Sequence, residues 1–300
     1  MIYIKLLLTA VFWGGTFIAG KVIARSIHPV NAAFLRFTIA TFCLLILVRK
    51  YEGRLPRLHP RQILPVVLLG LTGVFAYNIL FFSGLKHIEA GRAALIIANN
   101  PIIISLLSAV IFKEPLNWIK CTGICVSVAG AMVVISHGRI GDVASYTVGT
   151  GELLIFGCVL SWVAYSLIGK VVLERMSPLV AVAYSALVGA ALLAVPAFVY
   201  GIVDEIGGYR IVDWVSLAYL GFFGTVLGFF WYYQGIERIG PMRASVFINF
   251  VPISAIMLSF FLLNEPLTLS LLVGGAMVIM GVYFTNASNL IVQIFNKRRT

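Results

Sequence analysis

Two prolines interrupt apolar stretches, each shortly after an amide side chain: Asn99-Asn100-Pro101 and Asn249-Phe250-Val251-Pro252. A helical proline lacks an N–H and crowds the carbonyl four residues earlier, here on Ile97 and Ile248. A freed carbonyl beside an amide makes a polar spot in apolar surroundings. Two readings stay open for Asn99, Asn100 and Asn249: they line a solute cavity, or their polar groups satisfy one another at a packing kink. Aromatic residues recur nearby at helical spacing. Trp13, Thr16, Phe17 and Gly20 share one face, and Trp162, Tyr165, Ser166 and Gly169 share another. Tyr77 with Phe81, and Gly228 with Tyr232, form two more. Such faces would stack planar or amphiphilic solutes. They would equally pack against neighbouring helices or sit in an interfacial belt. Arg36 is the one basic residue well inside an apolar run, about 9 Å from its end at 1.5 Å per residue. It would meet a substrate carboxylate, or bind carbonyls and snorkel outward, the structural role being the simpler. Lys21 and Lys170 stand at run ends, where snorkelling is the simpler role and gating the alternative.

Other chemistries lack their residues. His28, His59, His87 and His137 lie between apolar runs, with no catalytic set and no metal spacing, so no enzyme and no metal are expected. P-loop and dinucleotide fingerprints are absent, so no cofactor is expected. Cys43, Cys121, Cys125 and Cys158 read as small buried hydrophobes. Every carboxylate stands at a run end or in a loop, whereas a proton-coupled antiporter needs a titratable group in the pathway. The expectation is therefore uncoupled diffusion or exchange, with Glu152 the residue best placed to overturn it. A channel would want a continuous polar pore, and only scattered Asn, Ser and Thr are present.

The elements that position these residues must be membrane helices. The chain of 300 residues is 61% hydrophobic and 11% charged, with a mean hydropathy of +1.02. A soluble domain carries about 25% charged residues. Ten apolar runs, near residues 4–24, 30–48, 63–85, 92–112, 117–136, 150–169, 178–201, 213–235, 242–262 and 267–286, each approach the ~20 residues that span a bilayer. Backbone groups in lipid must be satisfied within the segment, so helices are expected; the alternation of a membrane barrel is missing. No cleavable leader is recognised, so Met1 is expected to begin the mature protein.

The runs repeat. Gly84, Arg92, Pro101, Glu114-Pro115-Leu116, Gly123 and Gly130 return 151 residues later as Gly235, Arg243, Pro252, Glu265-Pro266-Leu267, Gly274 and Gly281. Gly70 and Gly73 return as Gly221 and Gly224. Trp13, Gly20, Lys21 and Pro29 return 149 residues later as Trp162, Gly169, Lys170 and Pro178. Each half thus holds five spans, and an odd number inverts the second half. Loop 49–61 carries five lysines and arginines, while its counterpart 202–213 carries Asp204, Glu205, Asp213 and only Arg210. Over the chain, fifteen basic residues fall on the side of the N-terminus against six opposite, which places both termini in the cytoplasm. The division expected is 1–136 for the first repeat, 137–149 for a connecting loop, 150–286 for the second repeat and 287–300 for a basic cytoplasmic tail beside anionic lipid. In the Glu-Pro-Leu turns, proline suits the first turn of the helix that follows and the carboxylate would accept that helix's free N–H groups. Gly123, Ser127 and Ala131, with Gly274 and Gly281, favour close helix packing or a dimer.

Trp13-Gly14-Gly15-Thr16-Phe17 before Lys21, Pro29 followed by Phe34-Leu35-Arg36-Phe37, and the duplicated small-residue, Pro, Glu-Pro-Leu, Gly pattern resemble the EamA-type branch of the drug/metabolite transporter superfamily. The resemblance covers nearly the whole chain. It implies ten transmembrane helices as two inverted five-helix repeats, a central cavity, and export or exchange of small metabolites. Within the branch the chain is similar to the YddG-like group of aromatic amino acid exporters. The function so implied is a secondary transporter of apolar amino acids and related amphiphiles, working by alternating access in the plasma membrane (the inner membrane if Gram-negative). A proton-coupled multidrug or metabolite antiporter is the alternative, and a small-solute channel the other class. The partners expected are a small-molecule substrate and lipid, not nucleic acid. The net charge of +11 sits between apolar runs; monomer and homodimer stay open.

Overall fold

The computed structural model describes residues 1–100, 102–104, 107, 118–135, 148–239 and 247–297. Pro101, Glu114-Pro115-Leu116 and most of the loop 137–149 lie outside the described residues. No strand occurs among those described. The first repeat holds α1 (Ile2–Ala24), α2 (Pro29–Glu52), α3 (Pro60–His87), α4 (Ala90–Ile104) and α5 (Trp118–Ile135). The second holds α6 (Thr150–Leu173), α7 (Pro178–Val199), α8 (Ile211–Gly235), α9 (Phe250–Leu263) and α10 (Leu269–Lys297). Six of these, α1, α2, α3, α6, α7 and α8, are long and apolar enough to cross a bilayer; the other four contribute shorter apolar helices. The chain is an all-α polytopic membrane protein of two inverted five-helix repeats. Pro29 and Pro178 both open helices, where a missing N–H costs no internal bond. The tenth helix outruns its expected end at 286 and continues to Lys297.

The repeats interlock. Helix α2 packs on its own equivalent α7, and α5 on its equivalent α10. Helix α1 packs on α8 and α9, while α6 packs on α3 and α4. Every one of these pairs joins the two repeats, as a two-fold relation requires. At one end, here called proximal because it carries Met1, Ser177 Oγ donates to Glu52 Oε1 (2.8 Å). At the other, distal end, Ser26 Oγ donates to Asp213 Oδ1 (2.7 Å) and Asn31 Nδ2 to Glu205 Oε2 (2.8 Å). Loop 53–59 and loop 200–210 therefore lie at opposite ends of the bundle.

The close-approach glycines are consumed by the α5–α10 crossing. A Cβ added to Gly130 would stand 2.7 Å from the Gly274 carbonyl oxygen, and one on Gly274 would stand 2.7 Å from that of Gly130. Gly281 meets the Gly123 carbonyl in the symmetry-related contact. Only glycine lets two helix backbones come this near. The face offered by the sequence for packing or for a dimer is thus spent inside one chain.

Two equivalent stretches depart from the α-helix. Residues Gly70–Ala76 of α3 and Leu220–Leu227 of α8 wind as π-helix, with i→i+5 bonding. Gly73 in the first lies against the Tyr165 ring, and Gly224 in the second lies 2.6 Å, measured to an added Cβ, from Thr16 Cγ2. Thr16 and Tyr165 are themselves equivalent residues at the 149 offset. Each wide turn is pressed by the first helix of the opposite repeat.

Candidate functional site

The aromatic faces of α1 and α6 meet at mid-height. Trp13 and Trp162, 9% and 8% exposed, touch edge to face with ring centroids 5.9 Å apart. Phe229 fills the angle between them, 5.8 Å from Trp13 and 5.3 Å from Trp162. Tyr232 lies 5.2 Å from Trp13, Tyr77 5.5 Å from Trp162, and Tyr165 5.3 Å from Trp162. Tyr77 stacks on Phe81, which meets Phe17 at 5.3 Å. The expected walls are therefore one continuous aromatic cluster across the repeat interface, with ring edges against ring faces. Ser166 and Thr16 do not point polar groups into it, since each hydroxyl donates to the tryptophan carbonyl one turn back, Trp162 O and Trp13 O.

Below the cluster, toward the proximal end, Leu6, Thr9, Ala10, Trp13, Tyr232, Phe247 and Ile248 close on one another with no room for a water molecule. Above it, at the distal end, polar contacts form within the first repeat and between the repeats, beside an open hollow of about 380 Å³ lined by His87, Ile88, Glu89, Arg92 and residues 149–152. Lys21 Nζ donates to Leu85 O (2.7 Å) and Ile88 O (2.6 Å), sealing the end of α3 rather than reaching an interface. Arg92 and Glu152 form an ion pair at 3.2 Å, both nearly excluded from solvent. Asp213, also buried, accepts from Ser26 and Arg210. Both of these buried carboxylates stand in first helical turns at the distal end, as expected of span-end acids.

Glu265 corrects its expected role. Its carboxylate accepts from Ala90 N (3.0 Å) and Gly91 N (3.3 Å), the free donors of α4 in the other repeat, and not from the helix that follows it. Negative charge at a helix N-terminus is favourable whichever chain segment supplies it. The turn before α10 is capped instead by Thr268 Oγ1, which accepts from Leu271 N.

The proline site of α9 also differs from a simple mid-helix kink. Helix α9 begins at Phe250, after a tight turn at Phe247–Asn249, so Pro252 falls in its first turn where no N–H is missed. In α4 the break comes at Ala98–Asn99, just before Pro101: Asn99 N donates to Ile96 O (3.2 Å). Asn99 turns toward α5, where its Oδ1 accepts from Ser127 Oγ (2.9 Å). Its amide donates back to Leu95 O and Ile96 O. It is a satisfied break residue. Asn100 is 4% exposed and its Oδ1 has no partner among the described residues. Of Asn249 and Lys170 only the backbone is described; their side chains lie outside the described residues.

Arg36 does not snorkel, and among the described residues it binds no backbone carbonyl. It is 4% exposed, and Nε donates to Thr225 Oγ1 (3.2 Å) while Nη1 donates to Asn78 Oδ1 (2.9 Å). Asn78 and Thr225 were not evident as site residues, because one belongs to α3 and the other to α8. An amide inside an apolar run was the available signal for Asn78. Their equivalents are Phe229 and Val74, so this polar cluster exists on one side of the two-fold relation only.

The match to known proteins agrees with this architecture. The pattern of the EamA-like transporter family fits residues 1–136 and again 149–287. The chain belongs to the EamA-like transporter family. An uncharacterized transporter of Bacillus subtilis, YyaM, is 31% identical over 281 residues, covering 94% of this chain and 92% of that protein. An uncharacterized transporter of Archaeoglobus fulgidus is 30% identical over 284 residues, covering 94% and 97%. A probable terminal-alkyne amino-acid exporter of Streptantibioticus cattleyicolor is 29% identical over 287 residues, covering 95% and 93%. A solved crystal structure superposes with a TM-score of 0.63 at 20% identity over 92% of this chain and 97% of that one, a likeness of fold. The EamA-like halves coincide with the two interlocked repeats.

Proposed function

We propose that this EamA-like protein carries small apolar and aromatic amino acids across the plasma membrane by alternating access, without ion coupling. The observation that carries the reading is the Trp13–Trp162–Phe229 cluster at the repeat interface. Inverted-repeat carriers bind their solute near mid-membrane, where the repeats meet. Aromatic edges and faces there favour an apolar side chain. That one relative is named a probable amino-acid exporter supports the solute class. The excess of basic residues around the proximal end supports placing both termini in the cytoplasm.

Absence of coupling rests on the described carboxylates, whose buried members are engaged at the distal end. The proton-coupled alternative would run through Glu152, which is buried and held by Arg92. Counterflow in proteoliposomes tests the proposal. Labelled L-phenylalanine and L-leucine should enter vesicles preloaded with unlabelled solute, saturably, and a pH difference alone should drive no accumulation. Accumulation driven by pH would establish coupling; linear, unsaturable flux would establish a channel.

A further inference from the structure

The guanidinium of Arg36 is a cation without an anion. No carboxylate of the described residues comes within ion-pairing distance, and the contacts of Nε and Nη1 go to the neutral oxygens of Thr225 and Asn78. The third nitrogen, Nη2, has no acceptor among the described residues. Taking an arginine out of water without a counter-charge is strongly unfavourable, so such a residue is kept where an anion arrives to complete it.

The two neutral partners fix its direction. Asn78 sits just past the first wide turn, and its Nδ2 donates to Val74 O (2.8 Å), which leaves only Oδ1 for Arg36. Thr225 lies in the second wide turn, and its hydroxyl donates to Leu220 O (3.0 Å), which leaves only a lone pair for Nε. Both groups are held as acceptors by carbonyls of the two π-helical stretches, Val74 O and Leu220 O. The guanidinium is thereby locked with Nη2 toward Gly224, 3.6 Å from where a Cβ would stand. The carbonyl of that same Gly224 accepts from Trp13 Nε1 (2.9 Å), and Thr16 Cγ2 stands 2.6 Å from where its Cβ would be. One glycine thus separates the unpaired cation from the aromatic cluster.

We propose that Arg36 is the anchor for a carboxylate on the transported solute, with the aromatic cluster taking its apolar end. The inference rests on the proposed carrier function and adds the requirement for an anionic group. Arginine offers two N–H groups in the plane that matches a carboxylate. The second repeat has Ser185 at the equivalent position, donating to Val182 O and beside Tyr165 OH, so it offers no second anchor. The solute is then bound in one orientation, carboxylate toward α2.

Four solutes that share a phenyl group test this on the full-length protein in liposomes: L-phenylalanine, its methyl ester, phenethylamine and 3-phenylpropionate. Binding is read by thermal shift and by inhibition of counterflow. The two carboxylates should bind about 10- to 100-fold more tightly than the ester or the amine, the range for a charge-assisted hydrogen bond. In Arg36→Gln the preference should vanish while the weak binding of phenethylamine is unchanged. Arg36→Lys, which keeps the charge and loses the fork, should restore part of it. Equal binding of phenylalanine and its ester by the wild-type protein overturns the proposal, whether or not any variant folds. If phenylalanine is ignored and 3-phenylpropionate is carried, the amino-acid reading falls and the anchor stands. If none of the four binds, both fall.

Discussion

Trp13 and Trp162, equivalent residues of opposite repeats, meet edge to face at a centroid distance of 5.9 Å. The contact lies where the two copies face each other, so neither ring has a counterpart elsewhere to replace it. The two are not interchangeable: Trp13 donates its indole N–H to Gly224 O in the wide turn of α8, and among the described residues Trp162 makes no such bond. Trp13→Phe keeps a ring and deletes that bond. Stability in detergent should fall by about 1 kcal/mol, the typical worth of a buried hydrogen bond. Counterflow should fall further than in Trp162→Phe. Equal loss in both variants would place the effect in ring packing alone.

The α5–α10 crossing yields a paired expectation. Gly130→Ala and Gly274→Ala each drive a methyl into the other's carbonyl at 2.7 Å. Each should cost about 1–3 kcal/mol, as overpacking does. The two losses should be similar, and the double variant should lose less than their sum, since one backbone shift relieves both. Thermal melts of the three proteins check this; strict additivity would mean that the contacts are independent.

Glu265 ties the turn before α10 to the start of α4. Glu265→Gln keeps the shape and removes the charge. It should destabilise by about 0.5–2 kcal/mol, as loss of a helix cap does. Hydrogen exchange should accelerate at Ala90 and Gly91 before it changes anywhere in α10. Protection loss confined to α10 would contradict the cross-repeat cap.

The Arg92–Glu152 pair should behave as a buried one. Arg92→Met alone leaves the buried Glu152 carboxylate without its cation and should cost about 3–5 kcal/mol, whereas the double variant Arg92→Met, Glu152→Gln should recover much of that. A double-variant cycle on melting data measures the difference. Under the uncoupled reading, folded Glu152→Gln protein should still show counterflow without a pH response.

The sequence made the helices, the duplication and its inversion readable because lipid imposes a span length and a charge bias that survive in any fold of this kind. Trp13, Trp162, Tyr77 and Phe81 could be placed on faces by helical spacing. That those faces close into one cluster could not be read, since contact between α1, α6 and α8 depends on packing. The partner of Glu265 was missed for a related reason. A carboxylate beside a turn advertises a cap, and nothing in the chain says which helix start lies next to it. Arg36 was visible as a charge in an apolar run, but its partners sit 42 and 189 residues away. Both depend on turns whose winding has no local sequence signature beyond paired glycines.

The i→i+5 stretches of α3 and α8 each hold about one residue more than an α-helix of the same height. Removing one residue between Gly70 and Ala76 would let α3 rewind to the ordinary pitch. Everything after the cut would then turn by about 100°, the angle per residue of an α-helix. Tyr77, Asn78 and Phe81 would swing away from their partners while the rod still filled its lipid height. A hydropathy profile would show such a chain as intact, so length variation at these two places is where a broken carrier would pass for a sound one.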